Sequence, residues 1–419
     1  MTFFLLVPAL LLLAVLAATN YGQAILLLAA LLPAYLLRFS LFGIPTNFLE
    51  AAILIICVVG VGQPPIRQQW KAALSKPSPW VMVWIGLFVA AVLCSTFISP
   101  QLRVSLGILK SWVLFPLVFA FIIASWAAAS QKTQQVTHYL WLSGVGMAII
   151  GLFQLGHVPR IFSVYDVPNS LALFLAPLLV MSVWTARARH TWHILGVGIM
   201  AAALFATQSL AGAVSALLAL GIGALLWRRR WILPLAGIII VAGILFSLTG
   251  KMPYLLRPLI DSTVHSSLSV RLQLWSVGWD LVKKHPLSGV GLGQFEPAYQ
   301  QQLHQRFADY EAGKTVQQPL AEFVYRDPHN VVLSVWLNLG LLGLVSFIAI
   351  HYLALKRALS LPSLTRQSIA LGLFTLLIFG LTDTIYWKND LAALQWLLVF
   401  MLLFTKKARK SDKLPADGI

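Results

Sequence analysis

Acidic residues are scarce in this chain. Only 13 Asp and Glu stand against 30 Lys and Arg in 419 residues, and charged residues of both signs make up 10%. A soluble domain carries about a quarter charged residues, so the ordinary globular class is excluded. Disorder is excluded as well, because 59% of the residues are apolar. Cysteine is nearly missing: Cys57 and Cys94 both lie in apolar runs, which leaves no disulfide framework and no cysteine-based metal site. No His-x-x-x-His or Glu-x-x-His spacing and no Gly-x-Ser-x-Gly elbow occurs, and the outward loops hold no Asp-x-Asp pair. No basic stretch precedes the first apolar run and no clean small-residue cleavage site follows it, so no signal peptide is expected. Internal repeats and low-complexity tracts are missing too.

What the chain has instead is apolar length. Runs that approach or match the ~30 Å hydrocarbon layer recur near 3–19, 24–37, 48–62, 80–98, 111–128, 138–156, 169–185, 192–209, 210–227, 231–249, 330–353, 367–386 and 391–405. Thirteen spans result if the two short first runs both cross, and twelve if they form a shallow hairpin. Working back from the C-terminus, loops 63–79, 129–137, 186–191, 228–230 and 354–366 share a side with the tail 406–419. That side carries 17 of the 30 Lys and Arg against two acids, Asp412 and Asp417. Basic short loops are cytoplasmic, so the +17 net charge reflects topology and anionic lipid contact, and no nucleic-acid partner is expected.

The long connection 250–329 breaks the pattern. It holds 7 of the 13 acids and four of the nine histidines, His265, His285, His304 and His329. A loop of that length is functional or disordered, and its aromatic residues and helical periodicity predict a structured external subdomain. The expected organisation is a transmembrane bundle over 1–249, the external subdomain 250–329, further transmembrane helices over 330–405 and a basic cytoplasmic tail 406–419. The fold class is an all-α polytopic membrane helix bundle.

Within the external loop, Leu268, Leu272, Trp275, Trp279 and Val282 predict a helix over 268–284, with Arg271 at the edge of their apolar face. A guanidinium there requires an anionic partner: either an acid or carbonyl groups of the protein, or a bound phosphate. Lys283 and Lys284 suit the helix C-terminus as dipole-compensating groups. The stretch Gly289-Val290-Gly291-Leu292-Gly293 reads as a tight turn. In Asp327-Pro328-His329-Asn330, Asp327 suits an N-cap and Pro328 the first helical position, which puts His329 in the first turn of a membrane helix. The unpaired leading N–H groups there would attract anions and disfavour the imidazolium, while Asp327 pulls the other way. His329 is then either a proton acceptor or an interfacial histidine bonded to the loop. Deep ionisable residues, which an ion-coupled carrier needs, are few; Glu50 and Asp383 are candidates near span ends.

Three stretches together resemble the O-antigen ligase/polymerase family: Ser269-Val270-Arg271-Leu272-Gln273-Leu274-Trp275, His285-Pro286-Leu287-Ser288-Gly289-Val290-Gly291-Leu292-Gly293-Gln294-Phe295, and Pro328-His329-Asn330 with Asn338-Leu339-Gly340-Leu341-Leu342-Gly343. Asp166-Val167-Pro168-Asn169 is similar to that family's earlier Pro-Asn signature. The resemblance covers about 150–350. It implies a GT-C-like integral membrane glycosyltransferase in the bacterial inner (cytoplasmic) membrane, with its active site on the periplasmic face. The implied donor is a glycan on undecaprenyl diphosphate, and the implied acceptor is lipid A core, another glycan or a protein hydroxyl. No cofactor and no metal are implied. By the same resemblance Arg271 contacts the diphosphate and His329 activates the acceptor hydroxyl. Asn330, Asn169, Asp166, Arg160, Arg326, Trp275 and Gly291 stand as candidate substrate-binding positions. One departure is Leu210, which occupies the place of a second diphosphate-binding arginine in Thr207-Gln208-Ser209-Leu210-Ala211-Gly212. Arg103, Arg160, Arg257, Arg306 and Arg326 are the outward arginines available to replace it. Ligase and polymerase remain alternatives, as do a lipid-linked glycan transporter and an envelope scaffold.

Overall fold

The computed structural model describes residues 2–41, 43–186, 191–233, 236–237, 266–315, 318–360, 363–385 and 389–404. Most of the apolar run 231–249, residues 250–265 of the long loop and the tail 406–419 lie outside them. The described chain is helical almost throughout. Helices α1 (Thr2–Thr19) and α2 (Tyr21–Ala30) lead to a short antiparallel hairpin, β1 (Arg38–Leu41) with β2 (Ile44–Asn47). Then come α3 (Phe48–Gly62), α4 (Pro64–Leu74), α5 (Pro79–Phe97), α6 (Leu102–Ile108), α7 (Phe115–Ser130), α8 (Thr133–Leu152), α9 (Pro168–Thr185), α10 (Thr191–Ala206) and α11 (Leu210–Trp227). The long loop contributes α12 (Ser267–Lys284) and α13 (Phe295–Glu311). The chain closes with α14 (Val331–Leu359), α15 (Leu364–Phe379) and α16 (Asn389–Phe404).

Among the described residues, five helical segments are by themselves long and apolar enough to cross a bilayer: α5, the continuous Leu102–Ser130, α9, α11 and α14. Helices α3 and α4 pass that test only as a pair, bent by 103°. Pro64 and Pro65 start the bend, since proline cannot continue a helix but suits its first turn. Residues 63–79, expected as a loop, are therefore largely an amphipathic helix. The remaining apolar helices run to 10–17 residues and do not pass that test, so of the expected twelve or thirteen spans the described residues show five, or six with the bent pair. The centre of the bundle is α16, buried from Asp390 to Phe404, which packs on α7 and α14, while α9 packs on α15.

A polar knot ties the N-terminal hairpin to this bundle. Glu50, 2% exposed, accepts from Lys110 Nζ at 2.9 Å and from Thr46 at 2.9 Å. Lys110 lies on a π-helical turn, Leu109–Leu114, whose widened geometry turns it toward the hairpin carbonyl of Pro45. A buried carboxylate needs such partners, and they give Glu50 a structural role.

The long loop folds onto the end of the bundle opposite the basic loops. Helix α12 begins with a capping box, Ser266 and Ser269 each bonding the other's backbone N–H. Its boundaries match the sequence expectation, but its buried face does not. Val270, Leu274, Val277 and Leu281 are buried with Phe295, Tyr299 and Leu303 of α13, whereas Leu272 and Trp279 are exposed. The helix carries two apolar stripes, and periodicity alone could not say which one met α13. The buried stripe also meets Leu337 of α14, and Trp279 at its edge meets Trp336 edge to face at 5.9 Å, while Leu272 lines a cavity beside Arg306 and Asp309.

Helix α14 is broken at Gly340 (φ 68°, ψ −174°), and the glycine turn at 287–293 fills the break. Val290 N–H donates to Leu337 O (2.7 Å), Leu341 N–H to Leu287 O (3.1 Å) and Gly293 N–H to Asn338 Oδ1 (2.7 Å). Gly289 and Gly340 have positive φ, and a Cβ on Gly340 would lie 2.1 Å from Leu287 O. Only glycine satisfies both constraints. Gly340→Ala should therefore cost at least about 1–3 kcal/mol and lower the melting temperature of detergent-solubilised protein. An unchanged melting curve would show that the turn is not seated in the break.

Candidate functional site

His329 is the centre of a cluster at this end of the bundle. Its backbone has φ 48°, a strained left-handed conformation for a non-glycine residue. The backbone N–H donates to Asp327 Oδ1 at 2.9 Å, and Nδ1 lies 3.1 Å from Asp383 Oδ1. Thr384 Oγ1 donates to the same Asp327 oxygen that holds the His329 backbone, fixing the loop. Trp275 Nε1 donates to the His329 carbonyl at 3.3 Å, and Tyr325 packs edge-on against the imidazole at 5.7 Å.

The capping expected of Asp327 falls to Asn330. The Asn330 side chain accepts from Val332 and Leu333 N–H, both at 3.0 Å, and α14 starts one residue later at Val331. Val331 N–H donates to Gly380 O at 2.6 Å, and Ser334 N–H bonds Asn330 O within the helix start. The leading N–H groups are thus satisfied by the protein, and the expected anion site at this helix end is not available. Asn330 Nδ2 also donates to Leu381 O at 2.9 Å, so its amide is committed at both ends.

Asp383 is the partner that sequence reasoning missed. It appeared there only as an ionisable residue near a span end, because 54 residues and a whole helical hairpin separate it from His329. Burial disfavours the His329 imidazolium, but the hydrogen bond to Asp383 and the charges of Asp327 and Asp383 outweigh it, with Arg271 opposing them. The pKa is raised above the usual histidine value.

Arg271 reaches the cluster from α12, one turn before Trp275. Its charge is felt by His329, by Tyr325 and by Arg160. Nη1 makes a long contact to Ser267 O at 3.4 Å, while Nε is buried without a hydrogen-bond partner in the described structure. Among the described residues, neither an acid nor a well-made carbonyl contact is bonded to this guanidinium. Arg160 enters from the loop before α9: Nε donates to Thr207 O at 2.8 Å and Nη2 to Asn169 Oδ1 at 3.3 Å. Burial, and then the Arg271 charge, lower its pKa. Two guanidiniums that repel each other, with a buried donor left unpaired, are suited to gripping an anion that both share.

Not every expected residue joins them. Asp166 is exposed, within electrostatic reach of Tyr35. Arg326 is exposed and makes none of the cluster's contacts. Gly291 (φ +103°) lines a separate cavity against Gln294 and Ser99. Leu210 is half exposed at the start of α11, three residues beyond the Thr207 carbonyl that Arg160 holds.

Residues 195–348 match the family model described as O-antigen ligase, which supports the O-antigen ligase/polymerase family and a glycosyltransferase-type membrane enzyme. Arg271, His329 and the Gly340 break fall within the match, while Arg160, Asn169 and Asp383 fall outside it. No curated protein matches the chain.

The raised His329 pKa has a direct consequence. The folded state holds its proton more tightly than the unfolded chain, so the stability it adds is complete below the ordinary histidine value and is lost as pH rises through the folded value. Asp383→Asn should bring the titration of His329 down, as read by NMR of histidine-labelled protein. A midpoint that stays in place would remove Asp383 as the cause.

Proposed function

We propose that the chain transfers a glycan from an undecaprenyl-diphosphate carrier to an acceptor hydroxyl, on the external face of the bacterial inner membrane, by a metal-independent, inverting displacement. The observation that carries this reading is that the charge of Arg271, whose buried Nε has no hydrogen-bond partner among the described residues, reaches both His329 and Arg160. Lipid diphosphate is already a good leaving group, so the protein has three tasks: to hold the anion, to orient the acceptor and to take its proton.

Arg271 and Arg160 perform the first task. Each stays charged and binds phosphate oxygens in a fork. Arg160, bonded to Thr207 O, supplies the second cation that Leu210 cannot. His329 takes the proton. With Nδ1–H donating to Asp383, the neutral imidazole presents its Nε2 lone pair, and the carboxylate stabilises the imidazolium once formed. The acceptor oxygen forms a bond to the anomeric carbon from one face. The bond to the diphosphate oxygen breaks on the other, its electron pair leaves with the carrier, and the acceptor proton goes to Nε2. Asn169 orients Arg160, and Trp275 and Asp327 orient His329; these are positioning residues. Residues 250–329 are the substrate-facing subdomain of this scheme, between the bundles 1–249 and 330–405.

His329→Ala should reduce transfer by about a hundred- to ten-thousand-fold, and Arg271→Ala or Arg160→Ala by about a hundredfold or more, with membrane protein levels unchanged. Near-normal transfer in both His329→Ala and Arg271→Ala would remove the site. Chelator should leave the purified activity intact. The acid limb of the pH–rate profile should lie above the usual histidine value and move down in Asp383→Asn. In a deletion strain, polymer that accumulates on carrier lipid with none on lipid A core identifies a ligase, and a single capped repeat identifies a polymerase.

A further inference from the structure

A polar cavity of about 660 Å³ lies against the C-terminal half of α12, and the proposed chemistry does not use it. Its walls are the turn between α5 and α6, the glycine turn, and one face of α13. Ile98 and Pro100 give it apolar surface, while Gln101, Gln294, Gln301, Gln302, Gln305 and Lys284 present polar groups. Among the described residues, no carboxylate lines it.

The amides are placed by helix periodicity. Ala298, Gln301, Gln302 and Gln305 fall on one face of α13, while Phe295, Tyr299 and Leu303 on the other are fully buried. Gln294 is 3% exposed, yet its amide makes one long contact, to Leu292 O at 3.5 Å. A nearly buried amide so weakly bonded normally finds a partner. Lys284 Nζ is held by Gln302 Oε1 at 2.5 Å, so the cavity's cation is already engaged by an amide. Gly291, with positive φ, lets the turn pass close to Ser99 and Gln294.

Amides donate and accept at once, as sugar hydroxyls do, and small apolar surfaces complement the C–H faces of sugar rings. From Arg271 to Lys284 the helix rises about 20 Å, the span of several sugars. We infer that this groove binds a hydroxyl-rich glycan chain at a distance from its reacting end, so that chain length contributes to recognition. The inference rests on the transfer reaction proposed above. The chain could belong to the donor or to the acceptor, whose hydroxyl chemistry is the same.

The test uses full-length protein in nanodiscs and glycan released from its lipid carrier by mild acid, separated into single repeats and long chains. Saturation-transfer NMR should show long chains contacting wild-type protein and His329→Ala alike. Gln101→Ala/Gln301→Ala/Gln305→Ala should weaken that binding about tenfold. Ala298→Trp, which fills the groove, should weaken it as well. In transfer assays the triple variant should raise KM for long chains and leave kcat and single-repeat KM unchanged. A rise confined to long donors assigns the groove to the donor, and one confined to long acceptors assigns it to the acceptor. Long-chain binding that is missing in wild type, or equal in wild type and both variants, overturns the inference. If His329→Ala keeps full transfer while the triple variant loses binding, the proposed reaction site fails and the groove stands.

Discussion

The architecture depends on a backbone interruption. Where α14 breaks at Gly340, its carbonyl and N–H groups lose helical partners inside the protein, and unpaired backbone groups there are costly. The turn at 287–293 supplies the missing partners: Leu287 O receives Leu341 N–H, and Val290 N–H finds Leu337 O. A soluble-looking subdomain is thereby fixed to a membrane helix by main-chain hydrogen bonds as well as by side-chain packing. Since α12 ends immediately before this turn and His329 lies just before α14, the same junction sets both the arginine-bearing helix and the histidine in place.

Within that frame the site balances charges that would be unfavourable alone. Arg271 and Arg160 repel, and Arg271 raises the cost of protonating His329. Asp327 and Asp383 offset that cost on the histidine side, but no carboxylate is found bonded to Arg271. The result is a polarised cluster, with guanidiniums on one part and carboxylates held against the imidazole. Such a division suits a reaction in which an anion departs from one side of a carbon while a proton is removed on the other.

Much of this was readable in the residues, and the failures have identifiable causes. The span of α12 followed from its periodicity, because local rules govern helix length. Its buried face did not follow, since Val270-Leu274-Val277-Leu281 and Leu268-Leu272-Trp275-Trp279 are equally regular and only α13 chooses between them. Asp327 had the composition of a cap, but the left-handed backbone of His329 moves the helix start to Asn330. Asp383 was seen only as a charge near a membrane edge, because a pairing across 54 residues leaves no local trace. The motif glycines were visible as a turn, whereas the helix break that they fill was visible only in three dimensions.

The seam at Gly340 also bears on how such a protein can change. It is written largely in peptide groups, which every amino acid except proline carries in full, and its side-chain bonds include Asn338 accepting from Gly293 N–H, Ser105 donating to Leu292 O and Trp336 donating to Pro286 O. Exposed Leu287 can be exchanged for other residues while the stitching persists, whereas Leu292 is buried in the core. A lineage could remodel what the outer subdomain recognises without loosening its attachment to the bilayer portion.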